Sequence, residues 1–167
     1  AFWWLPTDVF GPGKVLMMGK INGQDEKPYQ MDARGILQSY LEALNKKNQY
    51  TVYVANEVEG FLVKCIDAEQ LFNEKVGFEL VSMGGYYHSL PNDVLRNFID
   101  RAAEAQRAMG FENEKDHPEV APSQFELNYS YADAIIAADQ IQIYKLICRQ
   151  IARNMGMTAT FLPKPVM

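Results

Sequence analysis

The sequence feature that most constrains the fold is the acidic stretch 119–126, which begins and ends with a glutamate and is bounded and interrupted by prolines. Pro118 and Pro122 exclude a continuous helix, because proline lacks a backbone N–H and clashes with the preceding helical turn. Over residues 124–129, polar and apolar residues alternate with the period of a strand that has one polar and one apolar face. We therefore predict that the last glutamate points to the polar face of a strand, and that the first lies just before it across a proline turn.

A second acidic pair, Glu57 and Glu59, lies in residues 50–64, which are predicted to form one long strand. Residues two apart on a strand point to the same face, about 7 Å apart along the backbone. If the fold brings any two of these glutamates to about 5 Å, their carboxylates repel by about 3 kcal/mol at an effective dielectric of about 20. A fold holds them together only if a cation, a proton or open water compensates. Gly60 weakens the strand interior or lets another backbone approach.

Carboxylate oxygens without neighbouring cysteines favour a hard cation, Mg²⁺ or Mn²⁺, over zinc. Acidic pairs on strands are more often ordinary solvated surface, and that alternative stays open from the residues alone. Composition limits the other classes of function. The 167 residues are 48% hydrophobic and carry a net charge of −5 without a basic cluster, which argues against a nucleic-acid-binding protein.

Membrane and redox signals are also weak. No apolar run reaches membrane-spanning length, so no membrane partner is expected. Cys65 and Cys148 are far apart and lack metal-ligand spacing, which favours a reduced, cytoplasmic setting. The chain has no initiator methionine and is expected to be cut at both ends.

Hydrophobic periodicity predicts helices that alternate with short strands. The glycine-rich turn 84–88 is a weak phosphate-loop signal, and His88 within it is expected to pack rather than to bind a ligand. Asp32 and Asn92 are the predicted N-caps of the first two long helices. Predicted helices span 32–48, 67–74, 92–109 and 131–155, and predicted strands span 14–21, 50–64, 78–83, 111–116 and 158–162.

Four motifs together resemble the catalytic domain of glutamine synthetase, in that family's order and at nearly its spacing. They are DHPEVAPSQFE at 116–126, YADA at 131–134, ADQIQIYK at 138–145 and ATFLPKP at 159–165. The resemblance implies an α+β fold with a curved antiparallel sheet backed by helices. It also implies that residues 1–25 are the tail of an N-terminal β-grasp domain, and that residues 26–167 are the first part of a catalytic domain that continues further.

The resemblance implies an ATP-dependent ligase that makes glutamine from glutamate and ammonia through a γ-glutamyl phosphate. Mg²⁺ or Mn²⁺ would be the cofactor, and ATP a substrate. Glu59, Glu119 and Glu126 match ligands of a first metal, and Glu57 matches one ligand of a second. A large ring-shaped homo-oligomer would be the full-length assembly.

Glu114, His117 and Tyr131 match positions on the nucleotide side. The resemblance places no catalytic residue within this piece, which alone is expected to be inactive. Pro118 stands where bacterial members often have a second histidine, and Ser123 where they have glycine. Two alternatives stay open: a family member that joins glutamate to a polyamine or another amine, and a non-catalytic relative that keeps only the fold.

Overall fold

The computed structural model describes residues 1–165, so Val166 and Met167, the end of the predicted second domain, lie outside the described residues. Every strand pairing in it is antiparallel, which confirms the predicted α+β class with antiparallel sheet and helices. The strands are β1 (Phe2–Trp4), β2 (Val15–Met17), β3 (Tyr53–Val54), β4 (Glu59–Lys64), β5 (Asn113–Pro118), β6 (Gln124–Tyr129), β7 (Ala132–Asp133) and β8 (Met157–Thr160). The helices are α1 (Thr7–Phe10), α2 (Ala33–Asn48), α3 (Val94–Ala108) and α4 (Ala134–Asn154).

The central sheet has four strands in the order β5-β6-β4-β8, and its apolar face packs against α3 and α4. The alternation that predicted a strand at β6 explains this layering. Phe125 and Leu127 enter the core, while Glu126 between them faces the other side of the sheet. The fully buried core side chains include Leu62, Leu95, Phe98, Ile99, Phe125, Leu127, Ile143, Tyr144 and Ile147.

The helix starts are fixed by aspartates. Asp32 accepts a hydrogen bond from the Arg34 N–H at 3.2 Å, as predicted for the N-cap of α2. The prediction that Asn92 caps α3 is wrong. Asp93 is the cap, and its carboxylate accepts the Arg96 N–H at 3.0 Å. Asn92 has φ 60°, the left-handed region, whereas an N-cap residue is extended.

The prediction of one long strand over 50–64 is also wrong, because β3 and β4 belong to different sheets and the residues between them are irregular. Asn56 turns inward, and its Nδ2 donates to the Ala137 carbonyl at 3.0 Å. The Tyr144 hydroxyl donates to the Val58 carbonyl at 2.8 Å. These side-chain hydrogen bonds replace the strand ladder, while β3 pairs separately with β7.

Two further predicted elements do not form. The predicted helix 67–74 is a series of turns, in which the Leu71 N–H reaches the Asp67 carbonyl at 3.0 Å. A helix that short is not stable without packing. The predicted strand 78–83 is reduced to a single bridge between Leu80 and Val63.

The N-terminal residues form a hairpin, β1-β2, of which Trp3 and Leu16 pack on the main core. Asn154 on α4 donates to the Val9 carbonyl at 2.9 Å. Helix α2 has no buried residue and is held by a two-point ion pair between Arg34 and Asp139, at 2.8 and 2.9 Å. A domain boundary at 25/26 stays a prediction. None of the helices within residues 1–165 is long and apolar enough to cross a membrane.

Candidate metal centre

Three of the candidate residues lie side by side across the central sheet. Glu59 on β4 is directly opposite Glu126 on β6, and Glu126 is directly opposite His117 on β5. Directly opposed residues on antiparallel strands project from the same face with their Cβ atoms about 5 Å apart. The sheet register therefore brings a row of two carboxylates and an imidazole together from three strands.

The turn between β5 and β6 adds the fourth residue, Glu119. Its N–H donates to the Gln124 carbonyl at 2.8 Å, which closes the proline-containing turn. Both carboxylates lie close to His117: a Glu119 oxygen is 3.5 Å from its Nδ1, and a Glu126 oxygen is 3.7 Å from its Nε2. One ligand atom from each of these three residues lies within 4.8 Å of the others. We call His117, Glu119 and Glu126 the inner cluster.

The inner cluster is electrostatically strained without a cation. Glu126 is only 7% exposed, and its burial is the main cause that raises the pKa of its carboxyl group. A hydrogen bond from Asn128 lowers this pKa, the neighbouring Glu119 raises it, and His117 lowers it. Burial and a like charge therefore outweigh the groups that favour the carboxylate.

His117 is held in one orientation. Its Nδ1 lies 3.1 Å from the Pro118 carbonyl oxygen, which can only accept a hydrogen bond. A neutral His117 therefore carries its hydrogen on Nδ1 and turns the lone pair of Nε2 toward Glu126. The ring of Tyr87 stacks on the imidazole, with centroids 4.4 Å apart and planes 13° apart.

Glu59 is exposed and lies beside the inner cluster rather than within it. The Gln124 Nε2 donates to the Glu59 Oε2 at 2.6 Å, and the Gln124 Oε1 accepts the Ala121 N–H at 3.2 Å. Gln124 was not among the site residues predicted from the sequence. The signal was present, because Gln124 precedes Glu126 by two residues and so shares its face of β6.

Glu57, like Glu119, is a predicted metal ligand that does not lie on a strand. Its neighbours Asn56 and Val58 are anchored as described above, but the Glu57 side chain is exposed and is not a member of the inner cluster. The expectation that Glu57 and Glu59 project together from one strand is therefore wrong, because the chain is irregular at Glu57.

The two other nucleotide-side candidates are Glu114 on β5 and Tyr131, which lies between β6 and β7. Glu114 accepts a hydrogen bond from the Ser130 hydroxyl at 3.1 Å, and Tyr131 packs edge to face on Tyr53 with centroids 5.8 Å apart. A bulge shifts the register of β5 between Asn113 and Lys115. Ser130 and Tyr131 line a cavity of about 190 Å³. Ser130 is four residues from Glu126, about 13 Å along an extended chain.

The residues of the inner cluster fit a divalent cation. Two carboxylates and an imidazole nitrogen converge, and a bound cation would relieve the strain that raises the pKa of Glu126. The hydrogen bond between Nδ1 and the Pro118 carbonyl is also the kind of outer contact that orients a metal-binding histidine.

Comparison with known proteins gives a consistent result. Residues 30–167 match the family described as the glutamine synthetase catalytic domain. The chain is 38% identical over 149 residues to the glutamine synthetase of Thermus thermophilus, covering 85% of this chain and 31% of that protein. It is 34% identical over 157 residues to that of Staphylococcus aureus, covering 93% and 34%.

Solved structures show the same likeness. The cryo-EM structure of Plasmodium falciparum glutamine synthetase matches with a TM-score of 0.79 over 98% of this chain and 36% of that chain, at 23% identity. At this identity the match supports the fold alone. A structure titled GmaS/ADP complex matches with a TM-score of 0.67 and 25% identity, over 85% of this chain and 32% of that chain. The chain thus spans about a third of the length of the curated relatives it matches.

Proposed function

The chain belongs to the glutamine synthetase family, and on that premise we propose that it forms part of an ATP-dependent ligase that joins ammonia to glutamate. The observation that carries the proposal is the inner cluster, where His117, Glu119 and Glu126 meet on a sheet face. An acidic centre of this kind suits the transfer of a phosphoryl group, whose charged oxygens need a cation.

We assign Glu59, Glu119 and Glu126 to a first ion, Mg²⁺ or Mn²⁺, and Glu57 to a second. When bound, these ions would neutralise the phosphate oxygens of ATP and the glutamate carboxylate. The chain's own residues do the rest. His117 and Gln124 orient the carboxylates, and burial of Glu126 keeps water from competing for its oxygens.

Glu114, His117 and Tyr131 are proposed to contact the nucleotide. The small cavity lined by Ser130 and Tyr131 supports the assignment of Tyr131, and these two residues follow the end of β6. The residues that would bind glutamate and ammonium are proposed to lie outside this sequence, so the isolated chain is expected to be inactive. The full-length protein is proposed to form a large cytoplasmic ring of identical subunits. The unpaired Cys65 and Cys148 are compatible with a reducing compartment.

The direct test is phosphate release by the full-length protein with glutamate and ATP, supplied with ammonia or with putrescine. Release with ammonia, abolished by Glu126→Gln and retained in Glu104→Gln, would support the proposal. Glu104 is a suitable control, because it is an exposed glutamate on α3. Release with putrescine only would refute ammonia as the acceptor.

A second candidate is a ligase of the same family that uses another amine. The likeness to GmaS, solved as an ADP complex, favours including it. An array of primary amines in the same assay separates the two. A non-catalytic relative is the third outcome, and calorimetric titration with Mn²⁺ identifies it, because an inert protein would show no binding and would gain thermal stability when the glutamates are neutralised.

A further inference from the structure

A loop from the neighbouring part of the chain lies against the inner cluster. Besides the stacked rings, the Tyr87 N–H donates to the Pro118 carbonyl at 3.2 Å. Tyr86 packs edge to face on His117, with centroids 5.5 Å apart. Two tyrosines of the 81–93 loop therefore surround the imidazole, and whatever fixes this loop also fixes the surroundings of His117.

The start of the loop is held by one hydroxyl group, that of Ser123. Its Oγ accepts the N–H groups of Val81 at 2.8 Å and Ser82 at 3.0 Å, and it donates to the Ser82 carbonyl at 3.1 Å. Ser123 is fully buried, and its own carbonyl accepts the Leu62 N–H at 2.9 Å. The residue thus joins the 81–93 loop to the β5-β6 turn and to β4.

Ser123 adopts a backbone conformation that serine does not favour. Its φ is 62°, in the left-handed region, where glycine carries no steric penalty. Glycine would satisfy the turn better, so the turn does not explain the serine. What the serine adds is its side chain, whose three hydrogen bonds satisfy backbone groups that would otherwise be buried without a partner.

The far end of the loop is tied into the same network. The Ser82 hydroxyl donates to the Asp93 Oδ1 at 2.8 Å, while the Asp93 Oδ2 accepts the Arg96 N–H and so caps α3. Both ends of the loop are therefore linked to Ser123, the first directly and the second through Ser82. The tyrosines between them have a restricted set of positions over His117.

We propose that Ser123 is a positioning residue, whose hydroxyl fastens the 81–93 loop to the β5-β6 turn and thereby keeps Tyr87 stacked on His117. The consequence for metal binding rests on the proposed function, since His117 contributes to a metal centre only if that centre exists. The positioning role itself does not depend on the metal.

The test compares Ser123→Gly and Ser123→Ala in the full-length protein by residue-resolved hydrogen–deuterium exchange. Both variants lack the hydroxyl, but only the glycine variant also removes the backbone strain. We expect the amides of Val81, Ser82 and Tyr87 to exchange about tenfold faster in both variants. The glycine variant should melt at a higher temperature than the alanine variant. Ser39→Ala is the matched control, because the Ser39 hydroxyl is exposed and bonds only to the Gly35 carbonyl of α2.

Mn²⁺ titration of the same variants links the loop to the metal centre. Affinity should fall about tenfold in both Ser123 variants and stay unchanged in Ser39→Ala. Faster exchange at Val81 and Ser82 with Tyr87 still protected would overturn the proposal and leave Ser123 a purely local contact. A wild-type protein that binds no Mn²⁺ would refute the metal centre, and exchange at Tyr87 would still decide the role of Ser123.

Discussion

The two glutamate pairs that stand out in the sequence have different environments in the fold. Glu119 and Glu126 are separated by a proline turn, yet they meet around His117, and Glu126 is almost fully buried. Glu57 and Glu59 are only two residues apart, yet one lies on an irregular segment and the other on β4, and both are exposed. Proximity in sequence is thus a poorer guide to a shared site than position in a paired sheet.

The difference follows from what holds each carboxylate. Cross-strand register fixes Glu126 against both Glu59 and His117, and Asn128 fixes its Oε1 at 2.8 Å. Glu57 is held only through the hydrogen bonds of its neighbours Asn56 and Val58. A carboxylate fixed before the ligand arrives loses less conformational entropy on binding. We therefore expect the two pairs to differ in how strongly they hold a cation.

The largest expected effect is on metal affinity. Replacing Glu126 with glutamine removes the charge but keeps an oxygen for Asn128, so the fold should persist while Mn²⁺ affinity falls by about a hundredfold or more. Loss of an outer-contact residue typically costs 10–100-fold, and loss of a charged ligand should reach at least the upper end. Calorimetry of the full-length protein measures it.

The contrasting variant is Glu57→Gln. If Glu57 belongs to a second ion, this change should leave the tightest Mn²⁺ site intact and weaken only the later one. Equal losses at the first site from both substitutions would remove the distinction between the two pairs.

Features of the fold that depend on local sequence could be predicted, whereas features that depend on contacts between distant residues could not. The strand at β6 and the polar orientation of Glu126 follow from alternation, and the cap Asp32 follows a local rule. The break at Glu57 depends on Asn56 reaching Ala137, which is far away in sequence. No local pattern encodes such a contact, so the prediction of one long strand failed there.

The site shows the same division. The family resemblance selected Glu59, Glu119 and Glu126 by motif, and the register places Glu59 beside Glu126. The assignment of His117 to the nucleotide side stays a prediction; in the structure its Nδ1 lies 3.5 Å from a Glu119 oxygen and its Nε2 3.7 Å from a Glu126 oxygen. Pairing of β5 with β6 decides that position, and pairing partners cannot be read from one strand alone.

The next effect concerns Gly60, which follows Glu59 on β4. A Cβ added there would lie 2.5 Å from the Cζ atom of Phe125 and 3.0 Å from the Cε1 atom of Phe161. Aromatic rings, rather than another backbone, occupy the space that the glycine leaves. Since Phe125 is fully buried and cannot move aside, Gly60→Ala should cost about 1–3 kcal/mol of unfolding free energy.

Chemical denaturation measures the loss, and Gly19→Ala is the control because a Cβ there meets nothing within 4 Å. The variant should also weaken Mn²⁺ binding by displacing Glu59 from Glu126. Undiminished stability would show that β4 is more loosely packed against β6 than these distances indicate.

A smaller effect is expected from Gln124→Ala. This change removes the amide that holds the Glu59 Oε2, so Glu59 becomes as free as Glu57. Mn²⁺ affinity should fall about tenfold, the lower end of the range for a residue that orients a ligand. Gln150→Ala is the control, because Gln150 is bonded to Asn154 on the exposed side of α4. An unchanged affinity would mean that Glu59 binds no ion.

The smallest expected effect is on how the stability of the metal-free protein changes with pH. Burial and the charge of Glu119 raise the folded-state pKa of Glu126 above its ordinary value of 4.5, against the opposing influence of His117. The folded state then binds more protons than the unfolded state between the two values, so wild-type stability falls as pH rises through that interval. The Glu126→Gln variant should not show this fall in stability, because glutamine does not titrate. Without metal it should match the wild type in acid and be the more stable of the two at pH 8.

Each kcal/mol corresponds to about 2–4 °C in melting temperature for a chain of this size, which calorimetric scans resolve. Adding Mn²⁺ should reverse the order at pH 8, because the ion stabilises only the protein that binds it tightly. The matched change at Glu57 should show neither the gain nor the reversal at the first site, since its carboxylate is exposed. A metal-free Glu126→Gln variant that is less stable than the wild type at pH 8 would mean that the hydrogen bond from Asn128 outweighs burial. The Glu119–Glu126 pair would then be no more strained than the Glu57–Glu59 pair.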